Sequence, residues 1–231
     1  MMAEKVRKFD PFVESSDGWN SMMLLYNSAL KEVGTKIDIL NEEFKHIHRY
    51  NPIEYVKTRI KTPESIAKKL KKYGYEATQA NVMEYINDVA GVRIVCSFTS
   101  DIYRMAEMIS NQNDITVLKV KDYIANPKES GYKSYHMIVS VPIFLSDRVV
   151  DTKVEIQIRT IAMDFWASLE HKIYYKFEGD APDYISHDLK ECAQMVADLD
   201  EKMLQLNIAI QEAKIASEKN DSWDQIPNSS N

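Results

Sequence analysis

Two apolar stripes bracket this chain and constrain its fold more than any other feature. Trp19, Met23, Tyr26, Leu30, Val33, Ile37, Leu40, Phe44 and Ile47 recur at alternating intervals of four and three. Near the other end, Leu189, Cys192, Val196, Leu199, Met203, Leu206, Ile210 and Ala213 repeat the pattern. That spacing follows the 3.6-residue turn, so each stripe predicts one side of a long helix. Gly34 weakens the first only slightly. Two such seams are generous for a chain of 231 residues, and at least part of them is expected to contact another subunit.

Between the stripes the pattern changes. Gly91–Phe98, Ile115–Val120, Tyr135–Ile143 and Thr152–Ile158 are rich in β-branched and aromatic residues and read as strands. Helical patterns alternate with them at Pro63–Tyr73, Ala80–Ile86, Asp101–Ser110 and Thr160–Phe177. Pro63 suits a first helical turn, and Asp101 is expected as an N-cap. Leu145–Arg148 lacks the Asn-Gly or Asp-Gly pair of a two-residue hairpin and predicts a longer loop. In the last of the helices, Ala162, Trp166, Leu169, Ile173 and Phe177 form a stripe expected to be core. The fold class is therefore α+β: a mixed central sheet of four to five strands flanked by helices, with long helices at both ends. The expected organisation is an N-terminal segment over 1–18 and a helix over 19–48. A central domain over 49–180, a C-terminal oligomerising helix over 181–217 and a flexible tail over 218–231 follow.

Composition narrows the function classes. Hydrophobic residues make up 45% and charged residues 28%, enough for a real core. The two cysteines, Cys96 and Cys192, exclude a disulfide scaffold and a cysteine zinc finger, and suit a reducing cytoplasm. No run of about 18 uninterrupted apolar residues predicts a membrane span, and residues 1–10 lack the apolar core of a secretion signal. The net charge of −6 argues against a protein built to coat nucleic acid, so any anion site must be a local patch.

Four segments form such patches. Lys57–Lys72 holds seven cations against one acid, Glu64. Lys61, Ser65, Lys68, Lys69 and Lys72 fall mostly three and four apart, as if on one side of a helix whose start could meet phosphate. In Asp88-Val89-Ala90-Gly91-Val92-Arg93 an acid precedes a glycine, which allows close backbone approach, and an arginine entering a strand. Lys121–His136 interleaves Lys121, Lys128 and Lys133 with Tyr123, Tyr132 and Tyr135, a mixture suited to a nucleobase bearing phosphates. Strand alternation in Val154–Arg159 places Glu155, Gln157 and Arg159 on one face, and Glu155 is the natural partner for Asp88 around a divalent cation.

Taken in order, Arg59-Ile60-Lys61, Asp88–Arg93, Lys121-Asp122-Tyr123, Gly131–His136 and Glu155–Thr160 resemble the synthetase domain of the RelA/SpoT family. The resemblance runs from about Asn51 to Lys176, and the chain length is similar to the small alarmone synthetases of the RelQ or RelP type. It implies a nucleotidyltransferase-like fold. It also implies transfer of pyrophosphate from ATP to the 3′-hydroxyl of GTP or GDP, yielding pppGpp or ppGpp and AMP. It further implies that Arg59 and Arg93 stack on adenine, and that Lys61, Ser65 and Lys69 hold ATP phosphates. Asp88 and Glu155 would bind Mg²⁺, with Glu155 also the base. Tyr132 would stack on guanine, Lys121, Lys128, Lys133 and His136 would meet the GTP phosphates, and Gln157 would orient nearby groups. A homotetramer is implied as well. Asp164 stands where some small synthetases carry Asn, an acid close to an expected anion. The alternative class is a catalytically silent nucleotide- or RNA-binding regulator of the same fold; RNA binding is not indicated by the charge.

Overall fold

A computed structural model describes residues 16–47, 50–176 and 182–223. Residues 1–15 of the expected N-terminal segment (1–18), residues 224–231 of the expected tail (218–231), and Phe177 of the predicted core stripe lie outside them. Helix α1 (Ser16–Ile47) leads into β1 (Ile53–Ile60), α2 (Pro63–Tyr73), α3 (Gln79–Tyr85), β2 (Ala90–Cys96) and α4 (Thr99–Ser110). Then come β3 (Thr116–Asp122), β4 (Tyr135–Phe144), β5 (Val149–Thr160), α5 (Ile161–Lys176) and α6 (Asp183–Trp223).

The strands form one mixed five-stranded sheet in the order β1-β2-β5-β4-β3. Only the β2–β5 pair is parallel; the β1–β2, β3–β4 and β4–β5 pairs are antiparallel. On one face Val92, Ile94, Met137, Val139, Val154, Ile156 and Ile158 are buried with Met22, Leu25, Val33 and Ile37 of α1 and Ile102, Met105 and Ile109 of α4. Burial of this apolar layer is the main stabilising term. The opposite face keeps the polar members of the same strands.

The fifth strand, β1, has no counterpart among the strands read from sequence; it overlaps the start of the basic segment, ahead of the helix expected from Pro63. Its residues are mostly exposed because it is a sheet edge, so no clean apolar alternation marks it. Lys57 and Arg59 therefore stand on a strand, and only α2, from Pro63 onward, is helical. Thr62 is its N-cap, and Gly74, at φ 81°, ends it in the left-handed region. Asp101 is not the cap of α4: the N-cap is Phe98, and Asp101, at the third position, accepts the Phe98 N–H at 3.1 Å. The four-residue loop Leu145–Arg148 is closed by Leu145 N–H donating to the Arg148 carbonyl at 2.8 Å.

Both long helices depart from their stripes. In α1 the buried arc takes in Met22, Leu25 and Ala29 beside Tyr26 and Val33, while Trp19, Met23 and Leu30 are only partly covered and Ile47 is exposed. A sheet covers a wider arc of a helix than a strict seam does. In α5, Trp166 is buried, but Leu169 and Ile173 are exposed, so that stripe is not all core. In α6, Leu199, Met203, Leu206 and Ile210 all face outward.

Candidate active site

Strand register assembles the site on the polar face of the sheet. Arg59, Gly91, Glu155, Ile138 and Lys119 are successive cross-strand partners, and the next row on the same face is Lys57, Arg93, Gln157, His136 and Lys121. Gly91 leaves a gap in the first row. A Cβ there would lie 3.4 Å from Cγ and 3.5 Å from Nε of Arg59, ordinary contact distances, so the Arg59 side chain lies over β2 at this position.

Asp88 precedes β2, and two lysines converge on it. Lys61 Nζ donates to Oδ2 at 2.6 Å and Lys69 Nζ to Oδ1 at 2.8 Å. Lys61 arrives from the β1–α2 junction, where its N–H donates to the Val89 carbonyl at 2.8 Å. Lys69 comes from the second turn of α2. Lys68, Lys71 and Lys72 remain exposed, so the lysines do not act as one helix face. Burial alone pushes the Asp88 carboxyl up, but the two ammonium groups outweigh it and hold the carboxyl below its ordinary value.

Glu155 receives Gln157 Nε2–H at 2.9 Å and has His136 Nδ1 3.5 Å away. Burial raises its carboxyl and the Asp88 charge opposes ionisation, yet His136 and the Gln157 amide leave it below the usual range. Two cavities meet at this carboxylate. One, of about 190 Å³, is lined by Lys57, Arg59, Gly91, Arg93 and Gln157; the other, of about 130 Å³, by Lys69, Asp88, Lys119, Lys121 and His136. Glu155 lines both. Two ionised hard-oxygen donors facing one cavity suit Mg²⁺, which is usually held by one or two carboxylates plus substrate phosphates. Among the described residues no group of three or more His, Cys, Asp or Glu forms an all-protein metal site, so phosphates would have to complete the shell.

Tyr132 lies beyond His136, whose Nε2 is 2.9 Å from its hydroxyl. Arg159 Nη2 also donates to that hydroxyl, and Lys128 Nζ sits 4.7 Å from the ring centroid and 4.9 Å from that of Tyr123. The Tyr132 hydroxyl is thus a wired group as well as the tip of a stacking ring. Arg159, which sequence reading treats only as part of the polar face, is its organiser. It is buried, with Nη2 donating to Gln157 Oε1 at 3.0 Å, Nε to Ser134 Oγ at 3.2 Å and Nη1 to Asp164 at 3.1 Å.

Asp164, 3% exposed, also receives Arg93 Nη1 at 3.0 Å and the Tyr55 hydroxyl at 2.9 Å. Its charge is matched by two guanidinium groups, which removes the expected repulsion toward a nearby anion. Ser65 sits in the first turn of α2, bonded to Thr62 Oγ1, and lines neither cavity. Lys133 lines a third cavity, between the β3–β4 loop and α6, rather than the one holding Lys121. Lys119, Tyr73 and Tyr85 line the Asp88 cavity and are not among the expected site residues. The Lys119–Lys121 spacing of two was the available signal for the first.

Residues 58–180 match the sequence profile described as a region found in RelA/SpoT proteins. The chain is 48% identical over 199 residues to the GTP pyrophosphokinase YwaC of Bacillus subtilis, covering 86% of this chain and 95% of that one. The crystal structure of the small alarmone synthetase 2 of B. subtilis superposes with a TM-score of 0.76 at 47% identity, covering 83% of this chain and 98% of the other. That of the B. subtilis small alarmone synthetase 1 bound to its product pppGpp gives 0.78 at 34% identity, covering 84% and 98%. Profile, close relative and fold agree with the geometry of the sheet face: the chain belongs to the RelA/SpoT family.

Proposed function

We propose that this chain is a GTP pyrophosphokinase that transfers pyrophosphate from ATP to the 3′-hydroxyl of GTP or GDP, releasing AMP. The observation that carries this reading is the position of Glu155, a single ionised carboxylate shared by two adjacent cationic cavities. A donor and an acceptor nucleotide bound on its two sides would bring their reacting atoms together beside one base.

In this reading Arg59 and Arg93 hold the adenine, with Lys61 and Lys69 on the ATP phosphates. Tyr132 stacks on guanine, and Lys121, Lys128 and His136 meet the acceptor phosphates. Glu155 takes the proton of the 3′-hydroxyl as its oxygen bonds to the β-phosphorus and the α–β bridge bond breaks toward AMP. Asp88 and Glu155 would hold Mg²⁺, which when bound neutralises phosphate charge. Lys61 and Lys69 balance Asp88 in the nucleotide-free protein and turn to phosphate when ATP enters. Positioning and charge supply most of the rate in such reactions. The silent-regulator alternative gains nothing from the site, since both carboxylates are present, ionised and directed at one cavity. The test is incubation of the purified chain with ATP, GTP and Mg²⁺. AMP and a guanosine pentaphosphate in equal amounts are expected; nucleotide binding without AMP would support the silent regulator instead.

The subunit arrangement in this reading is a homotetramer. Its support is the outer face of α6, where Leu199 is 59% and Met203 49% exposed. A face of this kind is costly to leave in water. The Leu199→Glu, Met203→Glu protein is expected to run as a smaller species by size exclusion with light scattering while keeping its far-ultraviolet circular dichroism. An unchanged mass would remove this helix from the subunit contact.

A further inference from the structure

The loop that carries Tyr132 rests on α6 through a contact that tolerates almost no side chain. Gly131 has φ 86°, and a Cβ built there would lie 2.5 Å from the Ala193 methyl and 3.9 Å from the Cα atoms of both Lys190 and Ala193. The loop backbone is therefore pressed between two successive turns of the helix. The adjoining Tyr132 packs at the edge of a small cluster made by Trp166, Ala167 and Ala193. Trp166 Nε1–H donates to the Leu189 carbonyl at 3.0 Å and ties α5 to the same stretch of α6.

Backbone hydrogen bonds brace the loop. Gly131 N–H donates to the Lys128 carbonyl at 2.8 Å and Lys128 N–H to the Tyr132 carbonyl at 3.2 Å, so a push at Gly131 displaces Lys128 and Tyr132 together. Beside the contact lies a cavity of about 290 Å³ bordered by Gly131, Lys133, Trp166, Ala193 and Asp200. The glycine–alanine contact is thus where the loop backbone meets α6, while Arg159 and His136 hold the Tyr132 hydroxyl on its other side.

We propose that Ala193 is a positioning residue for the acceptor nucleotide: the smallness of its side chain, matched to Gly131, sets where Tyr132 and Lys128 stand. This rests on the assignment of Tyr132 and Lys128 to the acceptor made above. The donor side is reached only indirectly: Arg59 and Arg93 project from β1 and β2, and Arg93 is joined to Tyr132 through Asp164 and Arg159. The same helix carries Leu199 and Met203 on its outer face, so one rigid element spans both the loop seat and the proposed subunit contact.

Ala193→Leu is expected to raise the KM for GTP roughly tenfold, within the range that overpacking a tight contact produces, while the KM for ATP and kcat change less than about twofold. Gly131→Ala should give the same split. Adding Ala193→Gly to Gly131→Ala removes the colliding methyl and should recover most of the GTP KM, the remaining deficit reflecting the positive φ. Recovery by a second, smaller residue is not expected of a general packing defect. Amide hydrogen exchange over residues 128–134, in the absence of nucleotide, reads the seat directly and should speed up in Ala193→Leu and in the milder Ala193→Val. Unchanged exchange in both, or failure of Ala193→Gly to recover Gly131→Ala, would overturn the inference alone. Faster exchange with an unchanged GTP KM would overturn the placement of Tyr132 and Lys128 at the acceptor, and the inference with it.

Discussion

Glu155→Gln is expected to lower the rate of pyrophosphoryl transfer by at least about 10²–10⁴-fold, the typical contribution of a positioned base. Loss of a metal ligand would add to that. The substitution keeps the size of the side chain and an oxygen that can accept from Gln157, so the melting temperature should move little. Separation of the two readouts is the test: a folded variant with more than about a tenth of the native rate would show that Glu155 is neither base nor metal ligand. The pH profile gives the sign independently. With its carboxyl held below the ordinary glutamate value, chiefly against the upward push of burial, Glu155 is already ionised at neutral pH. The acid limb set by this base should therefore lie below the usual carboxylate range. Asp88, also shifted down, and Glu155 contribute stability that is present at neutral pH and lost as pH falls through their folded-state values.

Asp164→Ala is expected to have the largest effect on stability. Asp164 and Arg159 are nearly inaccessible, and Arg93 is three-quarters covered. Removing the shared carboxylate leaves two guanidinium groups close together with no counter-charge, and the Tyr55 hydroxyl without its acceptor. Removing one partner from a buried ion pair typically costs about 3–5 kcal/mol. In a protein of this size that corresponds to a fall in Tm of roughly 6–20 °C. Asp164→Asn keeps an acceptor oxygen and should lose less. Differential scanning calorimetry of the two variants checks this; an alanine variant within about 2 °C of the native protein would mean that solvent already neutralises the arginine pair. Arg93 is placed on the donor side and Arg159 on the acceptor side, so the network also holds the two nucleotide sites in register.

Much of the site is legible in the sequence. Glu155, Gln157 and Arg159 share a face because strand alternation requires it, and Asp88 and Glu155 do line one cavity. Where sequence reading failed, the cause was a surface already satisfied by something distant. β1 is not legible because an edge strand that is mostly exposed need not alternate. Lys133 carries the same charge as Lys121, yet β4 register places only Lys121 next to His136. The role of Asp164 was unreadable because its partners Tyr55, Arg93 and Arg159 lie 109, 71 and 5 residues away.

What the sequence by itself determined was periodicity and chemical inventory: long helices at both ends, an alternating sheet between them, and the carboxylates, lysines and tyrosines of the site in their order. These are local properties, dictated by 3.6- and 2-residue repeats and by the ionisation of side chains. Only the tertiary structure decided which groups meet. Strand order β1-β2-β5-β4-β3 sets Arg59 and Lys119 on opposite sides of Glu155. The docking of α6 on the loop puts Ala193 against Gly131. Each of these pairings joins segments far apart in the chain, and the energy that selects them comes from burying the common apolar layer beneath the sheet, not from the residues that meet above it.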